Sequence, residues 1–332
     1  MITPEIKQQL EAQKKECLFC RIISGEFPAK TVYQDEEVIS MLDIRPAIKG
    51  HLLYLPIEHY PIMPLMPPEV FRHYFGLVPQ LVSSLKKALA KTGITIFIAN
   101  GGVAGQQAPH FLTHFFPREK DDGFLNFYFK PKNNPLDQQI VQILVRNLNI
   151  MMENHFKRSP ALWHKDMGDK ASYLEDNYNN SVLLYEDEKV ACFLPEKNIL
   201  PGQIEVYSKI EPRDIEKLSI SDAQHFFYVA SYVSTLLFEG LKMQATNIIV
   251  KSGKSDDNPE GKLCAYVLPR NGEDSLNKTM LWEPKEPSYN LDDLVSKIKD
   301  KTWKIKYEIE PEFQLKKPHE EIIDAINAIK NQ

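Results

Sequence analysis

The chain has 332 residues, enough for two compact domains, and its 40 basic and 45 acidic side chains leave a formal net charge of −5. That balance argues against broad attraction to a nucleic-acid backbone, and no apolar run approaches the ~20 residues that a helical membrane span needs. Four cysteines are too few for a disulfide framework, so a reducing cytoplasm is expected.

Residues 1–16 read as a polar helix, with Thr3 as cap and Pro4 in the first turn, and they lack the apolar core of a secretory leader. Cys17-Leu-Phe-Cys20-Arg-Ile-Ile forms a short helical turn closed by Ser24-Gly25. Strands are predicted at 31–33, 38–42 and 51–56. Phe71, Phe75, Val78, Leu81 and Leu85 recur at helical spacing and predict one long helix over 67–91, kinked by Pro79. A strand at 94–99, a Gly- and Gln-rich loop at 100–109 and a strand at 110–116, stopped by Pro117, complete this part. Two prolines, Pro131 and Pro135, then break the chain before a helix at 136–156. The order returns with strands near 182–186, 189–194 and 203–207, a helix near 221–243 and strands near 246–251 and 263–268. After Pro284 and Pro287 the tail predicts a helix at 291–299, a strand at 302–309 and a helix at 319–330.

The return is a sequence repeat. A constant shift of 152 pairs Tyr33 with Tyr185, Asp35 with Asp187, Gly50 with Gly202, His73 with His225, Phe75 with Phe227 and Pro117-Arg118 with Pro269-Arg270. The predicted division is an N-terminal helix at 1–16, a first copy at 17–135, a linker helix at 136–171, a second copy at 172–283 and an extension at 284–332. Two copies in one chain predict an intrachain pseudo-dimer that needs no further partner and stays monomeric.

Two constellations carry possible chemistry. Cys17 and Cys20 form a CxxC, which in a reducing compartment signals metal, redox chemistry or a plain thiol pair. His59 and His110 are the histidines available to complete a Cys2His2 set. The second constellation is Gly105-Gln106-Gln107-Ala-Pro-His110-Phe-Leu112-Thr-His114-Phe-Phe-Pro-Arg118. On a strand, His110, Leu112 and His114 share one face.

Here the chain resembles the histidine triad (HIT) superfamily of nucleotide hydrolases and transferases, and most closely its zinc-binding CxxC type. The likeness runs through Val32-Tyr-Gln-Asp-Glu-Glu-Val, Leu42-Asp-Ile, Lys49-Gly-His, Leu55-Pro-Ile-Glu-His and Asn100-Gly-Gly to the His110 segment. It implies an α+β fold: two tandem HIT-like domains, each a five-stranded antiparallel sheet with a long and a short helix, packed as a pseudo-dimer. It implies a structural zinc ion on Cys17, Cys20, His59 and His110. His51 is not implied as a ligand. A purine nucleotide would lie with its base near Phe19, Ile22 and Ile44, its ribose on Asp43, and its phosphate near Asn100, Gly105, Gln106, Gln107 and His114.

One departure bears on activity. The family signature is His-x-His-x-His, and its middle histidine is the nucleophile that attacks the α-phosphorus. That position is Leu112, which has no lone pair to offer. His114 is the remaining candidate for such a role. In the second copy the three positions are Lys262, Cys264 and Tyr266, and Asp169, Ser172 and Glu211 replace the other zinc ligands. Pro195 and Ser252 stand where the first copy has Asp43 and Asn100. The expected function is a nucleotide-binding protein with lost or impaired transfer activity, a pseudoenzyme acting as sensor or adaptor. The alternatives are an active nucleotidyl hydrolase or transferase on purine nucleotides, and a ligand-free scaffold for protein or RNA. The sequence names no protein partner.

Overall fold

A computed structural model describes residues 11–158, 168–274 and 276–308. Residues 11–16 are helical, and the rest of the predicted N-terminal helix and the predicted helix at 319–330 lie outside the described residues.

In chain order, the first half consists of α1 (Leu18–Ile23), β1 (Lys30–Gln34), β2 (Val38–Leu42), β3 (Leu52–Pro56), α2 (Pro68–Gly76), α3 (Val78–Leu89), β4 (Gly93–Asn100) and β5 (Thr113–Arg118). The connecting helix is α4 (Gln138–Arg158). The second half consists of α5 (Glu175–Asn180), β6 (Ser181–Glu186), β7 (Val190–Pro195), β8 (Ile204–Ser208), α6 (Ile220–Gly240), β9 (Ala245–Gly253) and β10 (Cys264–Arg270). The short α7 (Asn277–Met280) and α8 (Leu291–Thr302) follow.

The ten strands make one antiparallel sheet in the order β1-β2-β3-β5-β4-β9-β10-β8-β7-β6. Read inward from either edge, the two sets of five have the same order. They join along β4 and β9, where Phe97 lies opposite Ile249, its own equivalent under the shift of 152. On the helical side Phe75 stacks on Phe227 at 4.4 Å, again a residue meeting its equivalent. A two-fold pseudo-axis therefore passes between these pairs. Apolar residues of both halves merge there into one core beneath the long helices.

Two polar networks recur in both halves. Asp35 accepts from Tyr33 Oη at 2.7 Å and from His73 Nε2 at 2.9 Å, and its other oxygen takes the N–H groups of Glu37 and Val38. Asp187 repeats this with Tyr185 at 2.8 Å, His225 at 2.7 Å and the N–H groups of Lys189 and Val190. Burial pushes both carboxyls up, but the donors outweigh it and hold each below its ordinary value. Arg118 and Arg270, both fully buried, pair with Asp122 and Asp274 four residues on, at 2.6 and 2.8 Å.

Three sequence expectations need correction. The helix predicted over 67–91 is two helices, broken at Leu77 and finished at Leu89, because Pro79 has no N–H and its ring meets the carbonyl four residues back. The strand predicted at 110–116 begins only at Thr113. Its ladder with β3 ends at the pair Tyr54–Thr113, and the Phe111 N–H turns instead to the Tyr60 carbonyl at 2.5 Å. The strand predicted at 302–309 is absent among the described residues. The helix runs on to Thr302, whose hydroxyl reaches the Val32 carbonyl, and the Gln80 side chain takes both backbone groups of Lys306.

Candidate metal centre and nucleotide pocket

Cys17 immediately precedes α1 and Cys20 lies within it, three residues on, so helical geometry turns both thiols the same way. His59 follows β3, and His110 sits in the irregular approach to β5. Their donor atoms converge within 4.8 Å of one another. Cys20 Sγ is 3.3 Å from His59 Nδ1 and 3.5 Å from His110 Nδ1, and Cys17 Sγ is 3.7 Å from His110 Nδ1. Zn–S and Zn–N bonds of about 2.3 and 2.0 Å in a tetrahedron separate sulfur from nitrogen by about 3.5 Å, so the four residues fit zinc. His110 Nε2 lies 3.0 Å from the Pro56 carbonyl, which has no proton to give. The ring N–H therefore points there, and the Nδ1 lone pair is left facing the cysteines. Burial holds His110 neutral, lowering it to about 4.

A second histidine pair lies on the sheet face away from the long helices. His51 Nε2 is 2.9 Å from His114 Nδ1. His51 Nδ1 accepts the Ala47 N–H at 3.4 Å and lies 3.4 Å from Asp43 Oδ2. In the tautomer where Nδ1 accepts from Ala47, the His51 proton sits on Nε2 and is donated to His114. The proton of a neutral His114 must then sit on its own Nε2, which makes that atom a donor. Burial lowers His51 well below its usual value and His114 to about 3, so both rings are neutral at pH 7. Asp43 Oδ1 takes the Arg45 N–H, and burial raises its carboxyl.

The structure brings several of the sequence-selected residues together. Phe19, Ile22 and Leu112 pack in one apolar cluster with Ile39, Met41, Leu53 and Leu55. Ile44 stays 61% exposed and outside that cluster. Asn100 Oδ1 takes the Met63 N–H, and Ser252 Oγ takes the equivalent Ile215 N–H in the second half, so this contact belongs to the fold. The Gln106 side chain closes its own loop through Gly101, Pro61 and Ala108, while Gln107 is exposed. Gly105 has φ +89°, which only glycine adopts without cost.

Two residues that sequence reasoning passed over belong here. His51, set aside as a metal ligand, lies between Asp43 and His114. Trp282 reaches across from the end of the second half, its ring 4.9 Å from His114 and 5.4 Å from His51. Nothing in the linear sequence pairs position 282 with position 114. The second half fills the same face differently. Gln203 takes the Ile199 N–H as His51 takes that of Ala47, and it donates to Glu205 at 2.9 Å. Tyr207 also donates to Glu205, yet burial raises that carboxyl to about 7.

A family model described as the HIT domain matches residues 24–121. An uncharacterized HIT-like protein of Methanocaldococcus jannaschii is 42% identical over 127 residues, 38% of this chain and 98% of that protein. The chain belongs to the histidine triad (HIT) family. An adenylylsulfatase of Arabidopsis thaliana is 33% identical over 116 residues, 35% of this chain and 59% of that protein. The solved structure of a Zn-bound histidine triad family protein from Mycobacterium smegmatis aligns at 32% identity and a TM-score of 0.31, covering 36% of this chain and 86% of that one. The HIT-domain match ends at residue 121, before the connecting helix and the second half. Among the described residues no helix is long and apolar enough to cross a membrane.

Proposed function

We propose that this chain is a tandem HIT protein with unequal domains. The first, 17–135, takes a structural zinc ion and a purine nucleotide but has lost nucleotidyl transfer. The second, 172–283, supplies the pairing partner that a HIT sheet needs, so the chain works as a monomer. The observation that carries this reading is Leu112. Where the family signature has its nucleophile, a leucine packs beside Phe19 and Ile22 in an apolar cluster. In the tautomer where His51 donates to its neighbour His114, the His114 Nε2 carries the proton and has no lone pair with which to attack. Removing a nucleophile costs on the order of 10⁶ in rate where the effect has been measured in a serine protease. A binder is what remains, acting as nucleotide sensor or adaptor.

In this reading Cys17, Cys20, His59 and His110 hold the zinc ion, which ties the N-terminal turn to the segment before β5 and does no chemistry of its own. Asp43 accepts from the ribose, Phe19, Ile22 and Ile44 flank the base, and Gly105, Gln107 and the His114 Nε2–H face the phosphate. Asn100 and Gln106 shape the loop around it. The adenylylsulfatase among the relatives makes an adenosine nucleotide the first ligand to try. Four free cysteines suit the cytoplasm.

Two measurements test this. Calorimetry with AMP and GMP should show one site that Asp43→Ala removes. A nucleotidyl-phosphoramidate assay should show no turnover above background, and turnover that vanishes in His114→Ala would overturn the loss of chemistry. One observation favours a second reading. Trp282 stands against His114, and a site closed by that ring would leave a ligand-free scaffold for protein or RNA. Absence of AMP and GMP heats in both the native chain and Trp282→Ala would select it.

A further inference from the structure

Away from the HIT pocket, a cleft of about 700 Å³ opens where the two halves meet. The end of α3, the loop around 211–217 and the loop around 253–261 form its walls. Six cations line it: Lys86, Lys87, Lys91, Arg213, Lys217 and Lys254. Three of them have carboxylate partners: Lys86 with Glu216, Lys91 with Glu119, and Arg213 with Glu211 at 3.3 Å. Among the described residues Lys87, Lys217 and Lys254 make no ion pair, and all three are exposed. Of the acids in the cleft, Glu260 is taken by Lys262 at 2.7 Å, and Asp214 alone makes no ion pair. Three unpaired ammonium groups therefore face one unpaired carboxylate.

The pseudo-axis provides an internal control. At the six equivalent positions, 152 residues away in either direction, stand Phe238, Glu239, Met243, Pro61, Leu65 and Gly102, none of them basic. The same backbone forms without the cations, so the fold does not require them. Lys86 and Lys87 lie in the last turn of α3, where a positive charge suits the helix end, but the equivalent turn of α6 carries Glu239. Lys217 and Lys254 lie outside α-helices and have no such explanation. The loop that carries zinc ligand His59 in the first half has become, in the second, one wall of this cleft. A further group lacks a partner: Oε2 of Glu216 is buried and receives no hydrogen bond from any described residue.

We infer that this cleft binds a small phosphomonoester that also carries hydroxyl groups. The phosphate dianion is held by Lys87, Lys217 and Lys254, and a hydroxyl donates to Asp214, the cleft carboxylate without an ion pair. This site is separate from the HIT pocket and does not depend on the function proposed for it. The test is calorimetry on the full chain at low salt, with ribose 5-phosphate and inorganic phosphate as probes. The inference expects one saturable equivalent of ribose 5-phosphate, bound more tightly than inorganic phosphate. Changing Lys87, Lys217 and Lys254 together to alanine should weaken it by about tenfold or more with the thermal midpoint unchanged, since the three side chains are exposed. Asp43→Ala should leave it intact. Lack of saturable binding, binding that survives the triple change, or binding that Asp43→Ala abolishes would each overturn the inference.

Discussion

Where the first half gathers the donor atoms of Cys17, Cys20, His59 and His110 within 4.8 Å, the second half has Asp169, Ser172, Glu211 and Lys262 at the equivalent positions. Lys262 pairs with Glu260 instead. Elsewhere the halves agree closely. The Asp35 and Asp187 networks match bond for bond, and so do the Arg118 and Arg270 pairs. Gln203 keeps the one backbone contact that His51 makes with its own loop. The contacts that persist hold backbone, and every copy of the fold needs them. The contacts that differ lie at the candidate metal ligands and the proposed pocket, where the fold itself makes no such demand.

The largest effect should come from returning the missing group. Leu112→His should raise phosphoramidate turnover by several orders of magnitude if the rest of the site is intact, whereas Cys264→His in the second half should not. Equal silence from both variants would mean that the first half has lost more than its nucleophile. Metal comes next. Protein purified without chelator should carry about one zinc, and Cys17→Ser should remove it and destabilise the fold by about 5 kcal/mol or more. Cys264→Ser should leave the metal content unchanged. Bound metal below half an equivalent in the native chain, unaffected by Cys17→Ser, would sink the zinc assignment.

Breaking the shared network should cost less, and unequally. His225 and Asp187 are fully buried, so His225→Ala should destabilise by about 3–5 kcal/mol, and loss of the slightly more exposed pair of His73 with Asp35 by less. Equal costs in urea unfolding would show that burial does not set the difference. Both aspartates lie below their ordinary value, so this stabilisation is complete above about pH 4 and fades as pH falls through their folded values.

The last contrast separates the halves by sign. His51 and His114 are held neutral, so the unfolded chain binds more protons and stability should fall as pH drops below about 6.5. Glu205, raised to about 7, works the other way. Its favourable contribution is complete below about pH 4.3 and is lost as pH rises through 7. Glu205→Gln should therefore stabilise the protein at pH 8 by about 2 kcal/mol and change little at pH 4. A pH-independent effect of that substitution would remove the contrast.

Much of this was legible in the chain. Alternating and β-branched runs located the strands, and the constant shift of 152 foretold both the matched strand orders and the meeting of the halves. The candidate metal set needed the CxxC together with the resemblance to the histidine triad family, which picks His59 and His110 out of nine histidines. What stayed hidden depended on contacts far apart in sequence. His110 and Leu112 read as strand because nothing local shows that the β3–β5 ladder stops at Tyr54. The tail at 302–308 has strand-like alternation, but Gln80 satisfies the backbone of Lys306 before a sheet edge can. Trp282 is invisible as a site residue until the second half is folded against the first.

The join along β4 and β9 has a consequence for how such a chain can evolve. Each of these strands is buried along its whole length, and their pairing spans residues 93–100 and 246–253. A chain cut between the halves would bare this ladder as two long unpaired edges, open to pairing with another strand. Gradual truncation of the second half is thus barred by aggregation long before the first half fails. If the second half has no catalytic duty, as proposed, it can in this way still become indispensable, and its surface is then free to acquire a different role.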